Sequence, residues 1–392
     1  MAARPNVLMI LTDQERYPPA YEGDEVTRFR RERLGARERL RAHSIEMHSH
    51  YTASTACQPS RTSLFTGQYP SLHGVTQTNG LAKLANDPAA TYLDPDTVPT
   101  MGDWFRAAGY RTFYRGKWHI SHADLPARGH AGLKTSDAAG VVFDDAVDAY
   151  LRADRLDPFG FSGWIGREPH GADPADSGYA RDEIFATQVS DLFGRLGDGG
   201  DDDPWLAIAS LVNPHDIVFA GMAWEALGMA TPDDSVPGGP PAPSQDDSLD
   251  DRPGCHRAWR DVWTKMLWEQ QPDASHRSFY LWLHEVVDRA IDRILDSLAA
   301  SPFADNTIVV FSSDHGEMLG AHGGLLQKWH NAYDETIRVP LVISGPGIEP
   351  GQIDIATSHV DLLPTLLGLV GADVRAAADV VARTHVETAA LP

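Results

Sequence analysis

The chain has 392 residues, 42% of them hydrophobic and 22% charged, and its 33 Lys and Arg face 55 Asp and Glu for a formal net charge of −22. At roughly 150 residues per domain, this length suits two or three domains or one large α/β domain, with enough apolar residues for a core without staples. The acidic balance argues against a nucleic-acid partner, whose phosphates need surplus cations, and against an anionic membrane surface.

In chain order, Asn6–Thr12 predicts a strand buried on both faces, because Val7 to Leu11 is continuously apolar. That run is too short for a signal-peptide core or a membrane span, so a soluble cytoplasmic protein is expected. Arg28–His43 predicts a charged, solvated helix. Thr100–Ala108 predicts a helix and Tyr110–Tyr114 a strand after the stop at Gly109. Arg181–Arg195 reads as helix, Trp205–Leu211 as strand and His276–Ala300 as a long amphipathic helix. Thr307–Ser312 and Val339–Ile343 read as strands and His359–Gly368 as a helix. This alternation predicts an α/β fold with a mostly parallel central sheet and helices on both faces. Gly197–Pro204 is an acidic glycine-rich turn, and Pro232–Gly254, rich in Pro, Asp and Ser, is expected to be a mobile loop or lid. There is no internal repeat.

In open α/β sheets, ligands bind at the carboxyl ends of strands. The first strand ends in Asp13-Gln14, and the Thr307 strand runs through Ser313 into Asp314-His315-Gly316-Glu317. Carboxylate with amide at one strand end, and carboxylate with imidazole at the other, form a cage for one divalent cation. A strand-terminal Asp is as often only a helix N-cap. The two cysteines, Cys57 and Cys255, stand outside any CxxC spacing, against a disulfide scaffold or a thiolate zinc site. Cys57 precedes Pro59-Ser60-Arg61 and a helix-like run, where a thiol has a lowered pKa and where an anion is also favoured. A buried inert cysteine is the plainer alternative.

Cys57-x-Pro59-Ser60-Arg61, followed by Leu64, Thr66 and Gly67, resembles the signature of the type I, formylglycine-dependent sulfatases of the alkaline phosphatase superfamily. The likeness continues through Pro5-Asn6-Val7 to Asp13, Gly116-Lys117-Trp118-His119, Asn213-Pro214-His215, Ser313 to Glu317, Lys328 to Pro340, and Asp361-Leu362-Leu363-Pro364-Thr365. The resemblance implies one alkaline phosphatase-like catalytic domain over 1–372, with the insertion at 232–254 and a short tail at 373–392. On that resemblance the usual C-terminal subdomain is expected to be reduced or missing, which would expose apolar surface and favour self-association.

The resemblance also implies a chemistry. Cys57 is converted to formylglycine by a transient partner, the formylglycine-generating enzyme, and its hydrate is the nucleophile on a small-molecule sulfate ester. Asp13, Gln14, Asp314 and His315, with residue 57, bind one divalent cation that lowers the pKa of that hydroxyl and polarises a sulfate oxygen. Arg61 holds the formylglycine, and Lys117 and Lys328 grip the sulfate. His215 protonates the leaving alcohol. His119 takes a proton from the second hydroxyl, expelling sulfate.

Many family members supply Asp-Asp and Asp-Asn to the metal. The pairs Asp13-Gln14 and Asp314-His315 instead resemble the choline sulfatases and phosphonate monoester hydrolases. Calcium is favoured, and the imidazole makes manganese a competitor. Lys117 and His119 look like the sulfatase pair, so sulfate monoesters are expected ahead of phosphonate monoesters or phosphodiesters, with an inactive binding relic as a third reading. Several residues carry bland alternatives. His119 and His215 could be packed core histidines and Lys117 a surface lysine. His322 and His330 flank the Lys328 segment, and Asn79 could touch substrate. His284 lacks the second histidine of a zinc-protease helix. Trp259, Trp263, Trp268 and Trp282 read as core, and Cys255 as incidental.

Overall fold

A computed structural model describes residues 4–79, 87–127, 132–169, 173–200, 203–226, 228–266 and 271–385. Nine strands are present among them: β1 (Asn6–Asp13), β2 (Ser44–Met47), β3 (His50–Tyr51), β4 (Arg111–Gly116), β5 (Trp205–Pro214), β6 (Thr307–Ser313), β7 (Leu341–Ser344), β8 (Gly351–Ile353) and β9 (Thr357–Ser358). Seven form one sheet in the order β4-β5-β1-β6-β7-β2-β8, and β3 pairs with β9 separately. β4, β5, β1 and β6 run parallel, whereas β7 is antiparallel to both β6 and β2.

β1 is buried at all eight positions, as its apolar sequence requires. Alternate side chains enter two different cores. Val7, Met9 and Leu11 pack with Leu64 and Phe65 and with Leu362 and Leu366. Leu8 and Ile10 pack with Val189 of the helix Gly178–Asp198 and with Ile291 and Ile294 of the helix Ala274–Ala299. Helices thus cover both faces, and the carboxyl ends of β4, β5, β1 and β6 share one edge. No helix among the described residues is long and apolar enough to cross a membrane.

Several segments differ from the sequence reading. The charged stretch at 28–43 forms two helices, Gly23–Arg33 and Gly35–Ala42, because Leu34 leaves helical geometry at φ −105° and ψ 62° to bury its side chain. β7 begins at Leu341, after Pro340, a residue without an N–H for the ladder. The 232–254 segment lies against the body of the protein, with Val236, Ala242 and Leu249 buried. In the tail, Val374–Val381 forms a helix capped by the Asp373 side chain on Ala376 N, and it buries Ala377 and Val381 in the same core as Met101 and Phe105.

Burial also sets how stability responds to acid. Glu22 bridges Arg16 at 3.1 Å and Arg30 at 2.9 Å. Burial raises its carboxyl pKa, but the two guanidiniums outweigh it and hold the value at about 2. Burial lowers His73 and His276 to about 4 each. All three groups bind fewer protons folded than unfolded, so the stability they contribute is full above the unfolded histidine pKa near 6.5. It is lost first as pH falls from about 6.5 towards 4, then further below about 4.5 as the unfolded glutamate takes up protons. The contribution of these three groups to the denaturant midpoint is therefore expected to fall from pH 7 to pH 4, and Glu22→Gln to flatten the wild-type pH profile only below about pH 4.5. An acid limb unchanged in Glu22→Gln would contradict the assignment.

Candidate active site

The parallel strand ends converge on residue 57. Cys57 opens the helix Cys57–Thr66 behind the extended Ala56, and every residue of that helix is buried. Arg61 lies one turn further along, on the same face. β1 delivers Asp13, with Gln14 just beyond it at φ 71°, and β6 delivers Asp314 and His315. β4 ends at Gly116, φ 95°, where an added Cβ would lie 1.9 Å from Ser210 O, so only glycine can turn the chain into Lys117 there.

One donor atom each from Asp13, Cys57, Asp314 and His315 lies within 4.8 Å of all the others, and all four residues are buried. His315 Nε2 is 3.1 Å from Cys57 Sγ and 3.6 Å from both Asp13 Oδ1 and Asp314 Oδ1. The opposite nitrogen, Nδ1, donates to Gly316 O at 3.0 Å, which leaves the Nε2 lone pair facing the cluster. The outer carboxylate oxygens are already paired. Arg61 Nη2 and Lys117 Nζ reach Asp13 Oδ2 at 3.1 and 2.7 Å, and Arg61 Nε reaches Asp314 Oδ2 at 2.8 Å. Two inward carboxylate oxygens and an oriented imidazole lone pair are a donor set that can hold a divalent cation.

Charge follows this geometry. Burial raises the pKa of Asp13, but Lys117, His215, Arg61 and Lys328 hold it well below the ordinary carboxylate range. Burial and Asp13 push the Cys57 thiol up, and Lys328, His315 and Lys117 outweigh them to bring it down. Burial opposes the charge on Lys117, but Asp13 and Cys57 raise its pKa, so it stays an ammonium.

Of the remaining expected residues, Lys328 and His215 act electrostatically on Asp13. Lys328 Nζ donates to Gln14 Oε1 at 2.6 Å. The Gln14 amide nitrogen donates to Glu317 Oε2 at 2.5 Å and Gln327 Oε1 at 2.8 Å. The His119 ring Nε2 is 2.6 Å from Asn79 Oδ1, and Asn79 Nδ2 donates to Tyr92 OH at 2.6 Å. His215 is half-buried beyond β5, near enough to Asp13 to draw its pKa down.

A family model described as Sulfatase matches residues 5–372 of the chain. The chain belongs to the sulfatase family.

Among curated relatives, the sulfatase is 29% identical over 377 residues to the uncharacterized sulfatase YidJ of Escherichia coli K12, covering 93% of this chain and 68% of that protein. It is 28% identical over 379 residues to the choline-sulfatase of Rhizobium meliloti 1021, covering 94% of this chain and 68% of that protein. The solved phosphonate monoester hydrolase of Silicibacter pomeroyi superposes with a TM-score of 0.60 at 23% identity, over 94% of this chain and 74% of that chain, a likeness of fold alone. The sulfatase is thus a sulfuric ester hydrolase with an alkaline phosphatase-like fold.

Around the site of the sulfatase lie supports that its motifs did not announce. Buried Asp182 accepts from Val212 N at 2.6 Å and Asn213 N at 3.0 Å, and burial pushes its carboxyl up to about 8. Asp216 accepts from Gly178 N at 3.0 Å and Tyr179 N at 2.9 Å. Together they fix the chain on both sides of His215. Glu317, at the end of the Ser313–Glu317 motif, accepts from the Gln14 side chain. Asn79, a candidate for touching substrate, directs its side chain to His119.

Other weighed residues have local partners. His322 stacks on Tyr333 at 3.8 Å between ring centroids and bonds Glu335 at 3.2 Å, whereas His330 is exposed beside Trp259. Trp263 is buried, Trp259 donates to Leu326 O, and Trp282 stacks on Tyr179. His284 packs within its helix against Tyr280, and Cys255 is exposed near His330 O. Trp268 lies outside the described residues.

Proposed function

We propose that the sulfatase cleaves a small-molecule sulfate monoester using a formylglycine made from Cys57 and one divalent cation. The observation that carries this reading is the Cys57 side chain at the first turn of its helix, 3.1 Å from His315 and inside the ring of Asp13 and Asp314. Asp13, Asp314 and His315, together with modified residue 57 and the free lone pair of the Gln14 oxygen, would hold the cation. When present, cation and hydrated aldehyde supply Lewis acidity and the nucleophile.

The protein's own groups do the rest. Lys117 and Lys328 place two ammonium charges over the cluster for the sulfate oxygens. Arg61 locks both carboxylates through their outer oxygens, so the inner ones keep their aim. His215, half-buried at the edge of the site, gives a proton to the departing alcohol. His119, with its ring tethered by Asn79, removes one from the nucleophile side. The formylglycine-generating enzyme is the transient partner this scheme needs.

Rates on p-nitrophenyl sulfate and on a p-nitrophenyl phosphonate ester test the substrate class, and the sulfate is expected to be the better substrate. A phosphonate preference would overturn the assignment to sulfate monoesters. Chelation is expected to abolish turnover, with recovery on adding calcium and, by virtue of the His315 imidazole, manganese. Full activity in a metal-free preparation would refute the metal role.

A further inference from the structure

His119 sits in a backbone conformation that a side chain with a Cβ adopts only when its surroundings enforce it, with φ at +56°. Two residues earlier, the chain is pinned by the core. Lys117 N donates to Ser210 O at 2.9 Å, and Lys117 O accepts from Arg61 Nη1 at 2.9 Å and Tyr114 OH at 2.7 Å. The next two residues turn their N–H groups to a single carboxylate. Trp118 N donates to Glu168 Oε1 and His119 N to Glu168 Oε2, each at 3.0 Å.

Glu168 has a fixed base. Its own N–H donates to Asp124 Oδ1 at 2.8 Å, so residues 117–124 and the segment ending at 168 clasp each other in both directions. The segment is anchored where Ser162 pairs with Phe113, where Trp164 Nε1 donates to Gly116 O at 2.9 Å, and where Arg181 reaches Gly166 O and Arg167 O. No cation among the described residues lies within ion-pair distance of Glu168. Burial and Asp124 push its carboxyl up to about 7, while the His119 amide and, from beyond ion-pair distance, Lys117 and Arg61 work in the opposite direction. A carboxylate kept away from water without an ion-pair partner is a poor way to stabilise a fold. What it does hold is the turn carrying His119.

The geometry points to Glu168 as a positioning residue that fixes the Trp118–His119 turn, so that the His119 ring reaches the reacting group. This rests on the reading of His119 as a proton acceptor in sulfate ester hydrolysis. Glu168→Gln keeps the size of the side chain but turns an NH2 group towards one of the two amides. Turnover on p-nitrophenyl sulfate is expected to fall about tenfold in kcat with KM within about twofold, at unchanged formylglycine content. In a His119→Ala background, the same change is expected to alter kcat by less than about twofold, because the group it positions is gone. Equal losses in both backgrounds, or no loss in the wild type, overturn the inference. If Glu168→Gln does not fold, Asp124→Ala, which frees the main chain of Glu168 while sparing its carboxylate, is expected to lower kcat about threefold; an unchanged kcat there overturns it too. Failure of the underlying reading looks different: the wild type itself is inactive on sulfate, or residue 57 remains a thiol in an active enzyme.

Discussion

Cys57→Ala is expected to abolish sulfate ester hydrolysis, by about 10⁴-fold or more in kcat, while leaving the protein folded. Cys57 is small and has no polar partner closer than His315 at 3.1 Å. Arg61, Asp13, Asp314 and Lys117 pair among themselves without it, so the pocket keeps its shape in the variant. Activity of wild-type preparations is expected to scale linearly with the fraction of residue 57 converted, read by mass spectrometry of its peptide, since conversion lowers the mass relative to cysteine. An alanine variant retaining a few per cent of wild-type turnover would place the nucleophile elsewhere. High activity in wholly unconverted protein would leave a plain thiolate as the nucleophile.

Arg61→Leu is expected to damage fold and catalysis together. The guanidinium is fully buried and makes four bonds: to Asp13, Asp314, Lys117 O and Ser210 Oγ. Removing it strands two buried carboxylates that lose part of their counter-charge, a change that costs about 3–5 kcal/mol. Lys117 still neutralises Asp13, but Asp314 Oδ2 is left without its cation. Arg61→Lys restores charge without the planar fork and should recover part of the stability but little of the turnover, because one ammonium cannot hold both carboxylates in register. Urea denaturation and steady-state kinetics on the two variants check this. A leucine variant within about 1 kcal/mol of wild type would show that the cluster does not depend on Arg61.

The parts of this molecule legible in its sequence are those whose chemistry is local. β1 announced itself through five consecutive apolar residues, and its buried place between β5 and β6 follows from that run. Asp13, Asp314 and His315 were legible because they follow apolar strands, and Cys57 and Arg61 through the resemblance of Cys57-x-Pro59-Ser60-Arg61 to a family signature. Contacts made across sequence distance were not legible. Glu168 meets His119 after 49 intervening steps along the chain, and Asp182 meets Asn213 after 31. Neither acid stands in a motif, and each acts through main-chain amides, which any residue type supplies. β2 and β8 were missed because both are short and lie at the far side of the sheet, where pairing, and not pattern, makes the strand. The helix at Val374–Val381 was hidden by an Ala/Val-rich composition that reads as featureless until Ala377 and Val381 find the Met101–Ala107 helix.

The burial of residue 57 has a consequence for the order of events in the cell. Its side chain is 3% exposed, and the nine residues after it form a helix with no exposed member. An enzyme that oxidises this cysteine must grasp the surrounding peptide, and the finished protein offers no purchase there. If residue 57 is oxidised as proposed, that step is expected to precede closure of the core, and a molecule that folds with the thiol intact is expected to stay in that form until it unfolds. On that proposal, the proportion of working enzyme is set by a race between oxidation and folding.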